Sequence, residues 1–182
     1  MRVAYLELNP DRNCISGQGF TWQGLNFQVL SPRQANGDKN DDSCVVTISD
    51  GFHRVLLPGD ISVKQERRLL SITGMDKKIA SDILIAPHHG SKSSSSRRFL
   101  AAVAPRYAVF SAGYLNRWQM PSKEILHRYH EFDIKTLTTA EIGMVTFKFD
   151  KAKAINKVDE GSKSHIEIIS YREHIRPYWF VN

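Results

Sequence analysis

The sequence predicts a mixed α/β fold made of layers of sheet and helix. Three observations predict it. Short alternating or apolar segments separated by turn signals dominate roughly the first sixty residues; helical spacing then alternates with apolar strands; and 182 residues at 41% hydrophobic and 24% charged suffice for one well-cored domain.

Phe20-Thr21-Trp22, then Gln23-Gly24, then Leu25 to Leu30 with period-two alternation read as a hairpin. Ser31 to Asp42 is polar, with Pro, Gly and Asn, and reads as a loop. Ser43 to Ser49 and His53 to Leu57 form a second hairpin around Asp50-Gly51. Val63 to Ile72 carries apolar and charged residues at helical spacing. Ile79 to Ala86 is the most apolar strand segment and ends in Pro87-His88-His89-Gly90-Ser91. Ser93 to Val103 reads as a helix with serines to cap it. Tyr107 to Ser111 is a buried strand, and Ser122 to Glu131 a helix led by Pro121. Lys135 to Thr138 and Met144 to Phe149 are strands. This divides the chain into a partial domain over 1–150 and a linker and tail over 151–182. In the latter, Lys151 to Ser164 is polar, Ile166 to Tyr171 offers one more strand, and Tyr178-Trp179-Phe180 is expected to pack on the body.

No apolar run approaches the length of a membrane span, and Met1 to Pro10 lacks a signal-peptide profile. Cys14 and Cys44 make neither a disulfide framework nor a CxxC pair, so two free thiols are expected. From Lys64 to Arg106 nine basic residues face three acids, Glu66, Asp76 and Asp82; that excess equals the whole net charge of +6. Such a stretch either attracts a polyanion such as nucleic acid or forms solvated helix faces.

Two motifs offer chemistry. In Leu56-Leu57-Pro58-Gly59-Asp60 a carboxylate at a strand end is placed either to hold metal ions or to cap the helix at Val63. In Pro87-His88-His89-Gly90-Ser91 the adjacent histidines point in different directions, so one ligates while the other contacts substrate or supports the site. Gly90 lets the chain turn sharply, and Ser91 offers a hydroxyl or amide to an anion. Together the motifs put an Asp and a His on one edge of one sheet, where metal hydrolases build their sites. His127 and His130, three apart on one helix face, are read as surface residues, and His53, His165 and His174 as bystanders.

These motifs, with Asn40-Asp41-Asp42-Ser43-Cys44-Val45-Val46, Glu66-Arg67-Arg68-Leu69-Leu70, Ser111-Ala112-Gly113-Tyr114 with Asn116, and Thr139 to Gly143, run in the order and spacing of a known family. The chain resembles the downstream half of the metallo-β-lactamase-like domain of ComEC-type DNA-uptake proteins, from about Cys14 to Phe149. The resemblance implies an αβ/βα sandwich, here its C-terminal portion. It also implies a divalent metal, zinc or manganese, held by Asp60 and His89, with His88 as a catalytic residue beside the substrate phosphate. Ser91, Lys92 and Asn116 are the implied substrate contacts. The implied chemistry is metal-assisted attack of hydroxide on a phosphodiester of the DNA strand that is not imported. The implied partners are DNA and the upstream half of the domain, or the membrane channel; the parent protein would lie in the bacterial inner membrane.

The sequence departs from that pattern. The His-x-His-x-Asp-His run is absent and is expected upstream of Met1. Asn40, Asp41 and Asp42 stand near the third metal position, where Asp42 is the substitute ligand to consider, and Met120-Pro121 stands where His-Pro is common. A catalytic zinc ordinarily takes three protein ligands. The isolated chain, with two, is expected to be inactive or nearly so. Two alternatives remain open: a metal-free module that binds DNA through Lys64–Arg106, and another phosphoesterase of the same fold.

Overall fold

The computed structural model describes residues 14–149 and 166–175. Seven strands form one sheet in chain order. β1 (Gly19–Trp22), β2 (Leu25–Ser31), β3 (Val45–Ser49) and β4 (Arg54–Leu57) run antiparallel: turns at Gln23-Gly24 and around Asp50-Gly51 reverse the chain at once within each hairpin, and the loop over 32–44 returns β3 beside β2. β5 (Ile83–Ile85), β6 (Tyr107–Phe110) and β7 (Lys135–Thr138) then add in parallel, each after a helical crossover. The crossovers are α1 (Val63–Leu70) with α2 (Met75–Ile79), α3 (Arg97–Val103), and α4 (Lys123–His130). α5 (Thr139–Ile142) leads into β8 (Val145–Phe149), which pairs with β9 (Ile166–Ser170) as a separate antiparallel hairpin.

Alternation along the strands separates two cores. Leu56, Leu84 and Ala108 are in register and pack with Leu69, Ile79, Phe99, Ile125 and Tyr129 from the helices. Their neighbours Val55, Ile83 and Tyr107 point to the other face and meet Phe147, Phe149, Ile166 and Ile168 of the β8–β9 hairpin. Further along that face Val46, Leu57, Ile85 and Leu137 remain partly exposed.

Three expectations are corrected. Cys14 and Cys44 are joined in a disulfide, their Cα atoms 5.8 Å apart. Spacing along the chain carries no sign of this, since the loop over 31–42 folds back to bring residues 30 apart in sequence together. The strand expected from Ile79 begins only at Ile83: Ile79 ends α2, where its side chain fills the helix-side core. The helix expected from Ser93 begins at Arg97, with the Ser96 hydroxyl accepting from the Phe99 amide. The tail cluster Tyr178-Trp179-Phe180, His165 and the segment Lys151 to Ser164 lie outside the described residues. Among the described residues, no helix is long and apolar enough to cross a membrane.

Candidate functional site

β4 and β5 are parallel neighbours, so whatever follows each of them emerges at the same sheet edge. Pro58-Gly59-Asp60 follows β4. Gly59 has φ +62, and a Cβ there would sit 2.7 Å from the Ser43 Cβ, so only glycine lets the turn close against Ser43. The Ser43 hydroxyl in turn accepts from the Asp60 amide at 3.0 Å. The residue in the capping position of α1 is Ser62, whose amide donates to the buried Asp41 carboxylate at 3.0 Å. Asp60 is therefore not the cap, and its carboxylate faces the sheet edge, 41% exposed.

After β5 the chain makes a tight 3-10 turn over Pro87–Gly90. His88 and His89 are both left-handed, at φ 51 and 55, and Gly90 follows at φ 83. A non-glycine residue in this region costs energy, and two in succession must be held by their surroundings. The His88 amide donates to the Gly59 carbonyl at 3.0 Å, which ties the two motifs together through backbone. A Cβ on Gly90 would lie 2.6 Å from Pro121 and 2.8 Å from the Phe110 ring, so this turn is wedged against β6 and the start of α4.

The outcome is that His89 Nε2 stands 3.6 Å from Asp60 Oδ1. His89 Nδ1 lies 2.8 Å from the Ser111 carbonyl, which can only accept, so Nδ1 carries a proton. In the neutral ring this leaves the Nε2 lone pair aimed at a carboxylate. Two lone-pair donors face each other, and the arrangement calls for a proton or a cation between them. With bonds of about 2.0–2.2 Å to nitrogen and oxygen, a shared tetrahedral zinc would hold its donors about 3.4 Å apart. The donor types thus fit a divalent metal, and a backbone acceptor on the far ring nitrogen is the usual support for a ligating histidine. The number of donors is short: among the described residues, no three His, Cys, Asp or Glu side chains converge to hold an ion. Asp42 is committed elsewhere, its Oδ2 accepting from the Asn36 and Gly37 amides at 2.8 and 2.7 Å.

The other expected residues are placed as follows. His88 is half-buried beside the pair, its Nδ1 3.3 Å from the Ser93 hydroxyl. The Ser91 amide is taken by the His88 carbonyl at 2.9 Å, and its hydroxyl pairs with that of Ser93 at 3.0 Å. Lys92 is exposed. Asn116 is occupied in holding its own loop: Oδ1 accepts from the Met120 amide, and Nδ2 donates to the Met120 and Gly113 carbonyls, at 2.7–3.1 Å. It sits with His89, Gly113 and Trp118 around a recess of about 200 Å³. His127 and His130 are exposed on α4, near Glu131 and Thr136 respectively. His53 is buried against Phe149, with Asp50 at 3.3 Å.

Sequence reasoning missed Glu66. It lies on α1, one turn before the buried Leu69, and is itself fully buried. Its two oxygens accept from the amides of Ser95 and Ser96, at 2.5 and 2.8 Å. Arg128 of α4 donates to the Ser94 and Ser95 carbonyls, and Tyr129 bonds the Ser95 hydroxyl. Glu66 therefore anchors the serine loop that follows the histidine doublet. The available signal was a carboxylate at i, i+3 spacing with leucine on the apolar side of the helix.

No family model matches the chain. It is 34% identical over 168 residues to the uncharacterized protein YcaI of Escherichia coli, a match covering 92% of this chain and 20% of that protein. It is 38% identical to recombination protein 2 of Haemophilus influenzae and 37% identical to competence protein ComA of Neisseria gonorrhoeae, each over 137 residues. Those matches cover 75% of this chain and 17% and 19% of the relatives. The chain thus spans about a fifth of the length of the curated relatives it matches. Over most of its length it is a homologue of one segment of the competence-related ComEC family.

Proposed function

We propose that this chain supplies one edge of a metal-dependent site that hydrolyses DNA phosphodiesters in a DNA-uptake protein. Donors from another part of a metallo-β-lactamase-like αβ/βα sandwich would complete the site. The observation that carries the proposal is the Asp60–His89 pair, 3.6 Å apart at one sheet edge with the far ring nitrogen of His89 held by backbone. Relatives named for competence and recombination support the DNA substrate and a membrane-bound parent. The partly exposed Val46, Leu57, Ile85 and Leu137, on the sheet face away from the helices, support a second layer as the neighbour.

A zinc or manganese ion bound there would place positive charge at the phosphoryl oxygens as charge builds on them. The chain's own residues set up that encounter. Asp60 and His89 fix where the cation sits. His88, next in the same strained turn with its Nδ1 near the Ser93 hydroxyl, would meet the substrate and exchange a proton with a phosphate oxygen. The Ser91 hydroxyl and the Lys92 ammonium add a hydrogen-bond donor and a charge for the strand backbone. Asn116 contributes by shaping the loop beside them.

Calorimetric titration of the purified chain with zinc or manganese tests this reading. Weak binding is expected, reduced at least about tenfold by Asp60→Ala and by His89→Ala, since even outer-shell partners of a metal commonly have effects of that size. A nuclease assay on the chain alone should show little or no turnover. Metal binding indifferent to both substitutions would refute the site. The two-donor count and the basic helix faces favour one second reading, a metal-free DNA-binding module, in which neither substitution alters DNA affinity.

A further inference from the structure

The loop between β6 and α4 has features the proposed chemistry does not use. Tyr114 and Trp118 are 72% and 64% exposed, with Leu115 between them at 84%. Large apolar side chains grouped in the open on one loop mark a contact surface. This loop is also firmly shaped. Leu115 and Gln119 are both left-handed, each at φ 51, and the three Asn116 hydrogen bonds clamp them there. Each aromatic ring carries a guanidinium: Arg117 lies 4.2 Å over Trp118, and Arg172, fixed by the Ala140 and Glu141 carbonyls, lies 5.8 Å from the Tyr114 ring. Trp118 shares the recess of about 200 Å³ with His89.

We infer that Tyr114 and Trp118 form a stacking platform for unpaired nucleotides beside the Asp60–His89 edge. The inference rests on the function proposed above. Flat exposed rings backed by arginine are the elements with which proteins hold single strands, since every base has a π-face and the guanidinium serves the phosphate. In a duplex those faces are stacked on neighbouring bases and unavailable. A base seated on Trp118 has its backbone beside His89, because both side chains border the same recess. Burial of the loop in a lipid headgroup layer is the competing use of Trp, Tyr and Arg. The recess that Trp118 shares with His89 sets the ring beside the proposed phosphodiester site, and this favours the nucleotide.

Fluorescence anisotropy of the full chain with a labelled oligothymidylate of about ten nucleotides, and with a duplex of equal length, tests the platform. The single strand should bind at least about tenfold more tightly and quench tryptophan emission. Trp118→Ala and Tyr114→Ala should each weaken it by about 5- to 100-fold, the range set by loss of one stacked base. Trp118→Phe should restore most of the affinity, and Trp22→Ala, an equally exposed tryptophan on β1, should leave it unchanged. Equal affinity for duplex and single strand, or variants that bind like the original, would overturn the platform. So would Trp118-dependent sedimentation with phosphatidylglycerol vesicles combined with unaltered oligonucleotide binding. Zinc titration of the same proteins separates the two ideas. Oligonucleotide binding lost in Trp118→Ala, beside metal binding indifferent to Asp60→Ala, keeps the platform and removes the metal site.

Discussion

At Glu66 two effects oppose each other. Burial pushes its carboxyl pKa up, while the Ser96 and Ser95 contacts and the Arg128 guanidinium pull it down, and burial prevails. Glutamine relieves the buried charge but presents a single oxygen to two amide donors. Either the Ser95 or the Ser96 N–H then loses its acceptor, at a cost of about 1–3 kcal/mol. Glu66→Gln should therefore destabilise the protein, as read from its urea midpoint. The pH dependence has a definite sign. Because folding raises this pKa, the folded state holds the proton more tightly between the ordinary carboxylate value and the raised one. Glu66 contributes its full share of stability below that window and loses it as pH rises through the window. The gap between the original protein and Glu66→Gln should be widest near about pH 4 and narrow toward about pH 7; a gap that widens with pH would refute the assignment. The sequence showed this residue as one of three acids among nine bases and as the head of the Glu66–Leu70 motif, not as an anchor, because its burial depends on α3 and α4 arriving over α1.

Among the elements, the disulfide carries the clearest consequence. It closes a loop of 30 residues between the start of the β1–β2 hairpin and β3. By the chain-entropy relation such a crosslink is worth about 3–4 kcal/mol. Cys14→Ser, or reduction, should lower the unfolding free energy by about that much, measured with and without dithiothreitol. The bond also abuts Ser43, whose hydroxyl holds the Asp60 amide, so the crosslinked segment is continuous with the site. Most strands were legible because period-two alternation and turn residues act locally, as at Gln23-Gly24 and Asp50-Gly51. α2 was not: five residues are too few for a helical period to show, and Ile79 read as the first residue of an apolar strand.

For the whole molecule, the basic excess of the Lys64–Arg106 stretch lies in the open. Of the three acids among the nine bases, Glu66 is buried and Asp82 accepts the Arg54 amide, while Lys64, Arg67, Arg68, Lys77, Lys78, Lys92 and Arg98 are all exposed. Arg97 is engaged by Glu131. The basic excess read from the sequence therefore stands at the surface, with Asp76 the exposed acid among these residues. DNA affinity should fall with salt along a log–log slope of about −2 or steeper, and Arg67→Glu with Arg68→Glu should flatten it by about one to two. A slope near zero would exclude this face as a contact.

The sequence by itself determined the mixed α/β class, the two hairpins and the placing of Asp60 and the His88-His89 doublet at strand ends, because these follow from local periodicity and from turns a few residues long. Only the tertiary structure decided that Asp60 and His89 meet while Asp42 does not, that Cys14 reaches Cys44, that Asn116 shapes its own loop, and that Glu66 points inward. Each of those depends on a partner far along the chain, whose distance is set by how whole elements pack and not by the residues on either side.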